Sequence, residues 1–159
     1  MITRKELLKK LLYDPTTGEF VWLKGHRKGK IASNITKTGY VRIKINQIEY
    51  KAHNLAWLYT YGTFPYLIVD HINHNRSDNR ILNLREVSHS ENMKNQKKFK
   101  INKSGHTGVI FHKRDKVWQS SIGVDGTLKH LGSFKTKKEA IIAREIANIK
   151  YKYHKNHGR

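Results

Sequence analysis

The chain has 159 residues and a formal net charge of +20, with 32 Lys and Arg against 12 Asp and Glu. That length suits one ordinary domain or two small ones. So large a charge surplus opposes compaction by self-repulsion, and a polyanionic partner is the economical reading. The absence of cysteine excludes disulfides and Cys-based structural zinc. No apolar run approaches the ~20 residues of a membrane span, and the N-terminal MITRKELLKKLL is too charged for the apolar core of a signal peptide. The expectation is a cytoplasmic protein with no membrane partner. Nucleic acid is favoured as the polyanion because the basic residues are spread through folded-looking segments with aromatics between them; a solubilising basic surface is the plainer alternative.

Thr3-x-x-Glu6 is a capping box, and Ile2 with Leu7 suits a hydrophobic staple around it. Leu7, Leu8, Leu11 and Leu12 share one apolar face, so a short amphipathic helix is predicted to about Leu12. Asp14-Pro15-Thr16-Thr17-Gly18 is a turn, and residues 19–22 read as a strand. The basic loop 25–30, with Arg27 and Lys28 between glycines, either touches phosphate or is a solvated turn. In residues 40–46, Val41, Ile43 and Ile45 alternate with Arg42 and Lys44. The strand therefore has one apolar and one cationic face, the latter a plausible DNA-contacting surface. A tight Asn46-Gln47 turn leads to a partner strand at 48–52. Residues 53–61 then read as a helix with Leu55 and Leu58 inward and Gly62 past its end.

The most informative stretch is residues 67–95, LIVDHINHNRSDNRILNLREVSHSENMKN. A short apolar strand at 67–69 delivers Asp70 and His71 to its end. A polar loop follows, rich in turn-forming Asn and Asp and carrying Arg76 and Arg80. Asn83 leads into a second strand that contains Arg85 and ends near Val87, and Ser88-x-x-Glu91 is a capping box for a helix that carries Asn92. If the first strand continued, Asp70 and His71 would point to opposite faces, so the loop is expected to bend there, braced by an amide at Asn83. Phosphodiester hydrolysis requires a base for the attacking water and a cation to neutralise charge on the phosphate and leaving oxygen. His71, with an unperturbed pKa of about 6.5, suits the base. Asp70 and Asn92 offer the hard oxygen ligands that suit Mg2+ or Mn2+. Taken singly, each of these residues is more readily a turn former or a solvated loop residue. Zinc through His71, His74 and His89 fits no common spacing.

The order D-H-x11-N-x8-N, formed by Asp70, His71, Asn83 and Asn92, resembles the HNH nuclease motif, the ββα-metal fold, in particular its phage and intron-homing branch. The run AHNLAW before the D-H pair is similar to the flank of phage HNH proteins. The resemblance implies that His71 is the general base, that Asn83 orients the loop and base, and that Asp70 and Asn92 hold a divalent Mg2+ or Mn2+ ion with no structural zinc. Many relatives have His where this chain has Asn92, and the homing branch tolerates that variation.

Residues 94–103, KNQKKFKINK, are basic without apolar period. They read as a helix end running into a linker along a phosphate backbone, with Lys97 and Lys98 as contacts. Three strands are then predicted, at 108–111, 117–122 and 128–134, joined by a 113–116 turn and an Asp125-Gly126 hairpin turn. Thr136-x-x-Glu139 caps a last helix, in which Ala140, Ala143, Ala147 and Tyr151 with Ile142, Ile146 and Ile149 form a broad apolar face. This arrangement resembles the AP2 DNA-binding domain, on Gly108-Val109, Trp118, Ile122, Leu131-Gly132-Ser133-Phe134 and Glu139-Ala140 through Ala143. The resemblance implies a sheet laid in the major groove. Several positions that are Arg in plant relatives are Thr107, Ile110, His112 and Gly123 here, which leaves Lys113, Arg114, Gln119, Ser121 and Lys129 as the contacting candidates. Trp118 belongs either to that set or to the core. The basic tail from Lys150 is expected to fray.

The expected fold is α+β. A small antiparallel N-terminal sheet region spans 1–65, a ββα-metal HNH core 66–98, a basic linker 99–105, and an AP2-like three-stranded antiparallel sheet plus one helix 106–159. The expected function is a metal-dependent homing-type DNA endonuclease, phage or intron associated. It would leave 5′-phosphate and 3′-hydroxyl ends on double-stranded DNA, nicking as a monomer, in the host cytoplasm if phage-encoded. The alternatives are a non-catalytic DNA-binding regulator with a decayed motif, or a structural RNA-binding protein explained by charge alone.

Overall fold

A computed structural model describes residues 1–98 and 101–158. The chain divides into two compact units, Met1–His89 and Ser90–Arg159. Both are mixed α and β, with small antiparallel sheets throughout.

The first unit opens with α1 (Arg4–Lys10), started by the Thr3–Glu6 capping box with both reciprocal hydrogen bonds present. The helix stops sooner than its leucines suggest, because Leu11 turns extended and begins β1 (Leu11–Asp14). Leu7 and Leu11 are fully buried whereas Leu8 and Leu12 stand exposed, so the expected single helical face is corrected to a helix followed by an alternating strand. β1 pairs with β2 (Glu19–Trp22) as a hairpin. A second sheet joins β3 (Asn34–Ile35), β4 (Val41–Ile45) and β5 (Ile48–Lys51). Asn46 and Gln47, at φ 50° and 65°, make the two-residue turn whose handedness matches strand twist. In β4 the valine and isoleucines are buried and Arg42 and Lys44 exposed, as the alternation requires.

α2 (Ala52–Tyr61) buries Ala52, His53, Leu55, Ala56 and Leu58 and ends at Gly62, φ 89°. That left-handed geometry suits glycine. β6 (Ile68–His71) and β7 (Leu84–Val87) form a two-stranded sheet, connected by a loop and a 3-10 turn at Ile81–Asn83. Val69 and Leu84 belong to the same apolar core as Leu7, Leu11, Phe20, Ile43 and Leu55. The strands that carry the Asp-His pair are therefore anchored by the packing of the N-terminal elements.

α3 (His89–Met93) starts directly after Ser88, where the helix is expected. The division between the units falls within it. In the second unit, β8 (Val109–His112), β9 (Val117–Val124) and β10 (Thr127–Phe134) form an antiparallel sheet in the order β10-β9-β8. The hairpin turn Asp125-Gly126, φ 50° and 78°, again has the geometry favoured between twisted strands. α4 (Lys137–Lys150) begins at the Thr136–Glu139 capping box and packs on all three strands. Its covered stripe is Ala140, Arg144 and Ala147, and Ile142, Ile146 and Ile149 lie outside it. This corrects the broad apolar face: small alanines let the helix approach the sheet, and the larger isoleucines turn away. The tail does not fray as expected. The Tyr153 hydroxyl donates to Gly123 O at 2.7 Å, and the amides of His154 and Gly158 donate to the carbonyls of Lys94 and Gln96 at 3.1 and 2.8 Å. The expected linker 99–105 begins with residues 99 and 100, which lie outside the described residues.

Candidate active site

β6 runs through both members of the Asp-His pair, with Asp70 opposite Arg85 and His71 opposite Leu84. Successive strand residues face opposite sides, so the two side chains separate, and the bend expected at the pair is not found there. The bend comes one residue later than the pair itself. The Asp70 carboxylate is largely buried and accepts from Arg85 Nη2 at 2.9 Å and Nε at 3.2 Å. Arg85, expected to contact DNA, is thus placed as the cross-strand ion-pair partner of Asp70.

His71 is only 4% exposed. Its ring lies edge-on to His53, centroids 5.0 Å apart, with Tyr40 6.1 Å away. Burial pushes the His71 imidazole below its ordinary range, against the opposing pull of Asn79 and Asp70. At neutral pH it is therefore uncharged, the form a proton acceptor requires. Asn79 Nδ2 donates to Ser77 O at 3.1 Å, which presents Asn79 Oδ1 to His71 Nε2 at 3.4 Å. An amide oxygen only accepts, so this contact suits the tautomer that carries its proton on Nε2. The 3.4 Å contact is long for a hydrogen bond.

His53, on α2, is the second buried imidazole. Its pKa is pushed down to about 3, chiefly by burial and then by neighbouring His71 and Lys51. Its Nδ1 is buried with no hydrogen-bond partner among the described residues.

The loop between β6 and β7 is held by amides and one carboxylate. Asn83 Oδ1 accepts from the Asn73 amide at 3.0 Å, and its Nδ2 donates to Asp78 O at 2.8 Å. The Asn83 side chain thus ties both ends of the loop. Asp78 accepts from Arg80 and from Asn73 Nδ2, and the Arg80 hydrogen bond leads in lowering its carboxyl to about 2. Asn79 was not singled out from the sequence, although it sits in a run of turn formers. It is 2% exposed, and its carbonyl accepts from the Tyr13 hydroxyl at 2.7 Å. Gly18, at φ +78°, presses the β1–β2 turn against the same place: a Cβ there would lie 2.5 Å from Arg80 N and 2.6 Å from the Asn79 carbonyl carbon. The N-terminal hairpin therefore positions the residue that orients His71.

Asn92 lies on α3, in the second unit. Among the described residues no group of three or more His, Cys, Asp or Glu side chains could hold a metal. The Asp70 carboxylate is a hard oxygen donor of the kind that suits Mg2+ or Mn2+, which keep several waters.

The remaining basic positions have varied surroundings. Arg42 pairs with Glu49 at 2.9 Å. Arg76 donates to Thr38 O and lies over the Tyr40 ring. Arg27 stands over Trp22. Lys28, Lys97 and Lys113 are exposed, Arg114 pairs with Asp115, and Lys98 donates to Gly105 O. Lys129 lies over Tyr151. On β9, Trp118 shares its face with the buried Ser120 and Ile122 and has Lys137 of α4 over its ring, which puts it on the helix-covered side. Gln119 occupies the opposite face.

No curated protein sequence matches the chain. A solved structure, described as DNA binding and cleavage by the HNH homing endonuclease I-HmuI, is similar over 94% of this chain and 88% of that one, at 22% identity and a TM-score of 0.46. Asp70, His71, Asn79, Asn83, Arg85 and Asn92 all lie in the segment, residues 50–94, that matches a protein-family model described as HNH endonuclease.

Proposed function

We propose that the chain is a metal-dependent HNH endonuclease of the homing type that hydrolyses phosphodiester bonds in double-stranded DNA. The observation that carries the reading is a buried, neutral His71 whose Nε2 faces an amide oxygen, within a segment matching the HNH model. His71 Nδ1 accepts the proton as water attacks phosphorus; the new P–O bond leaves a 5′-phosphate, and the broken one a 3′-hydroxyl. Asp70 and Asn92 are the residues that would hold Mg2+ or Mn2+, Asn92 by motif spacing. Such an ion, when bound, stabilises charge on the phosphate and the leaving 3′ oxygen. Asn83 holds the loop in shape, and Asn79 holds the base in its working tautomer.

The +20 charge supplies affinity for the DNA backbone. The exposed face of β4 with the basic loops in the first unit, and separately the outer face of the AP2-like sheet around Gln119 in the second, are the contacting surfaces. Trp118 contributes there only from the edge of the helix-covered side. We take the enzyme to be a monomer that nicks, since one site cuts one strand. The Asp70–Arg85 ion pair favours a second reading, a DNA-binding regulator, because it gives Asp70 a cation other than a metal.

The deciding experiment is plasmid cleavage with and without Mg2+ or Mn2+, comparing wild type and His71→Ala. Nicked circles that need both metal and His71 support the nickase, whereas early linear product points to paired action on both strands. Tight binding without cleavage, on plasmid and on DNA from the source genome alike, establishes the regulator.

A further inference from the structure

Outside the His71 site, the first unit holds a pocket of about 150 Å³ lined by Trp22, Lys24, His26, Arg27 and Lys44. Ligand pockets for drug-sized molecules run to roughly 300–1,000 Å³, so this one suits a single base rather than a larger cofactor. Its lining is one indole and four basic side chains, with no carboxylate. On the neighbouring strand Glu49 is taken by Arg42, and Lys24, Arg27 and Lys44 form no ion pair among the described residues. The pocket is therefore cationic and uncompensated.

Its frame is tied down. The Trp22 amide donates to Lys30 O at 3.0 Å, the Trp22 carbonyl accepts from Gly29 N at 2.8 Å, and the Leu23 amide donates to Lys10 O at 2.9 Å. Gly25 and Gly29 take φ of +77° and +79° with open space around them, which lets the loop rise over the indole without side chains filling the mouth. Arg27 stands over the Trp22 ring, 5.5 Å from its centroid, within cation–π range. Its Nε donates to His26 Nε2 at 3.2 Å. An exposed guanidinium that already lies over an indole can lift and close again on a flat ring inserted between them.

We propose that this pocket binds an unpaired nucleotide, its base stacked on Trp22 beneath Arg27 and its phosphate held by Lys24 and Lys44. Paired duplex offers only backbone at this place, whereas an extrahelical or single-stranded base offers the π-face that an indole recognises without regard to sequence. The inference rests on the DNA-binding reading above for the kind of strand, and its test reads binding rather than cleavage.

The full chain in EDTA is titrated, by fluorescence anisotropy at fixed salt, against a paired duplex and the same duplex with a single bulged thymidine. Wild type should prefer the bulge, and Trp22→Ala should weaken bulge binding by about 5- to 150-fold, the range for one stacked base, and leave paired duplex nearly unchanged. Arg27→Ala, at an exposed position that leaves the core intact, should lower the same preference. Equal affinity of wild type for both duplexes overturns the proposal, as does an equal loss on both in Arg27→Ala, which would make the pocket a backbone contact. Bulge preference in a protein that never cuts plasmid would sink the nuclease and keep the pocket; cutting without the preference does the reverse.

Discussion

The two units each bury polar groups of opposite character. In the first, His53 and His71 lie edge to face and are held neutral by burial. In the second, Arg144 is 4% exposed. Its Nη1 donates to the Ser121 carbonyl, its Nε to Asn148 Oδ1 at 2.9 Å, its Nη2 lies 3.3 Å from His157 Nε2, and its guanidinium lies over Tyr153. A guanidinium keeps its charge in a protein and must be satisfied where it lies, so Arg144 ties strand, helix and tail together. An imidazole escapes the cost of burial by losing its proton, and is then ready to accept one. Of the buried titratable groups, His71 is the one the proposed chemistry uses, whereas the permanently charged Arg144 ties its unit together.

The largest effect that would sharpen this contrast is His71→Ala, expected to lower the nicking rate by about 10²–10⁴-fold with DNA affinity unchanged by anisotropy. If affinity falls in proportion to rate, His71 is not the base. Arg144→Ala should act in the opposite sense. It leaves buried acceptors unpaired and opens a cavity, costing about 2–4 kcal/mol of stability by urea unfolding. An unchanged unfolding curve would break the comparison.

Gly18→Ala tests how far the first unit's hairpin reaches into the site. A Cβ at that positive φ meets the backbone of Asn79 and Arg80, so stability should fall by about 1–3 kcal/mol and nicking should slow with it. Asn79→Ala removes the acceptor at His71 together with the Nδ2 donor to Ser77 O. It should slow nicking by about ten-fold, one hydrogen bond's worth, and cost about 1 kcal/mol of stability. Equal rates in Asn79→Ala and wild type would show that the tautomer is set otherwise.

A further effect is on the pH dependence of stability. His53 is at about 3 in the folded chain against about 6.5 unfolded, so between those values the unfolded chain binds the extra proton. Its contribution is complete above pH 6.5 and declines by roughly 1.4 kcal/mol per pH unit as pH falls toward 3. His71, lowered in the same direction, adds to the loss. Urea unfolding at pH 7 and pH 5 should show the decline, and His53→Phe should flatten it; an equal slope in that variant would place the titration elsewhere.

Much of this was legible locally. Both the Thr3 and the Thr136 capping boxes form as read, because they need only neighbours three residues apart. The alternation in β4, the Asn46-Gln47 and Asp125-Gly126 turns, and the strand-loop-strand frame around Asp70 and His71 are local in the same sense. Leu8 and Leu12 went astray because four leucines at helical spacing also fit a helix turning into a strand. The isoleucines of α4 went astray because hydrophobicity alone does not say which face meets the sheet. A gap sized for alanine and a buried guanidinium decided that.

The sequence by itself determined the α+β class, the basic charge, and the order of Asp70, His71, Asn83 and Asn92, since these follow from composition, period and spacing. Only the tertiary structure assigned Asn79 to His71, Arg85 to Asp70 and His53 to the ring cluster. Those partners are 8, 15 and 18 residues apart along the chain, and they meet because α2, the β1–β2 turn and the β6–β7 pair share one core.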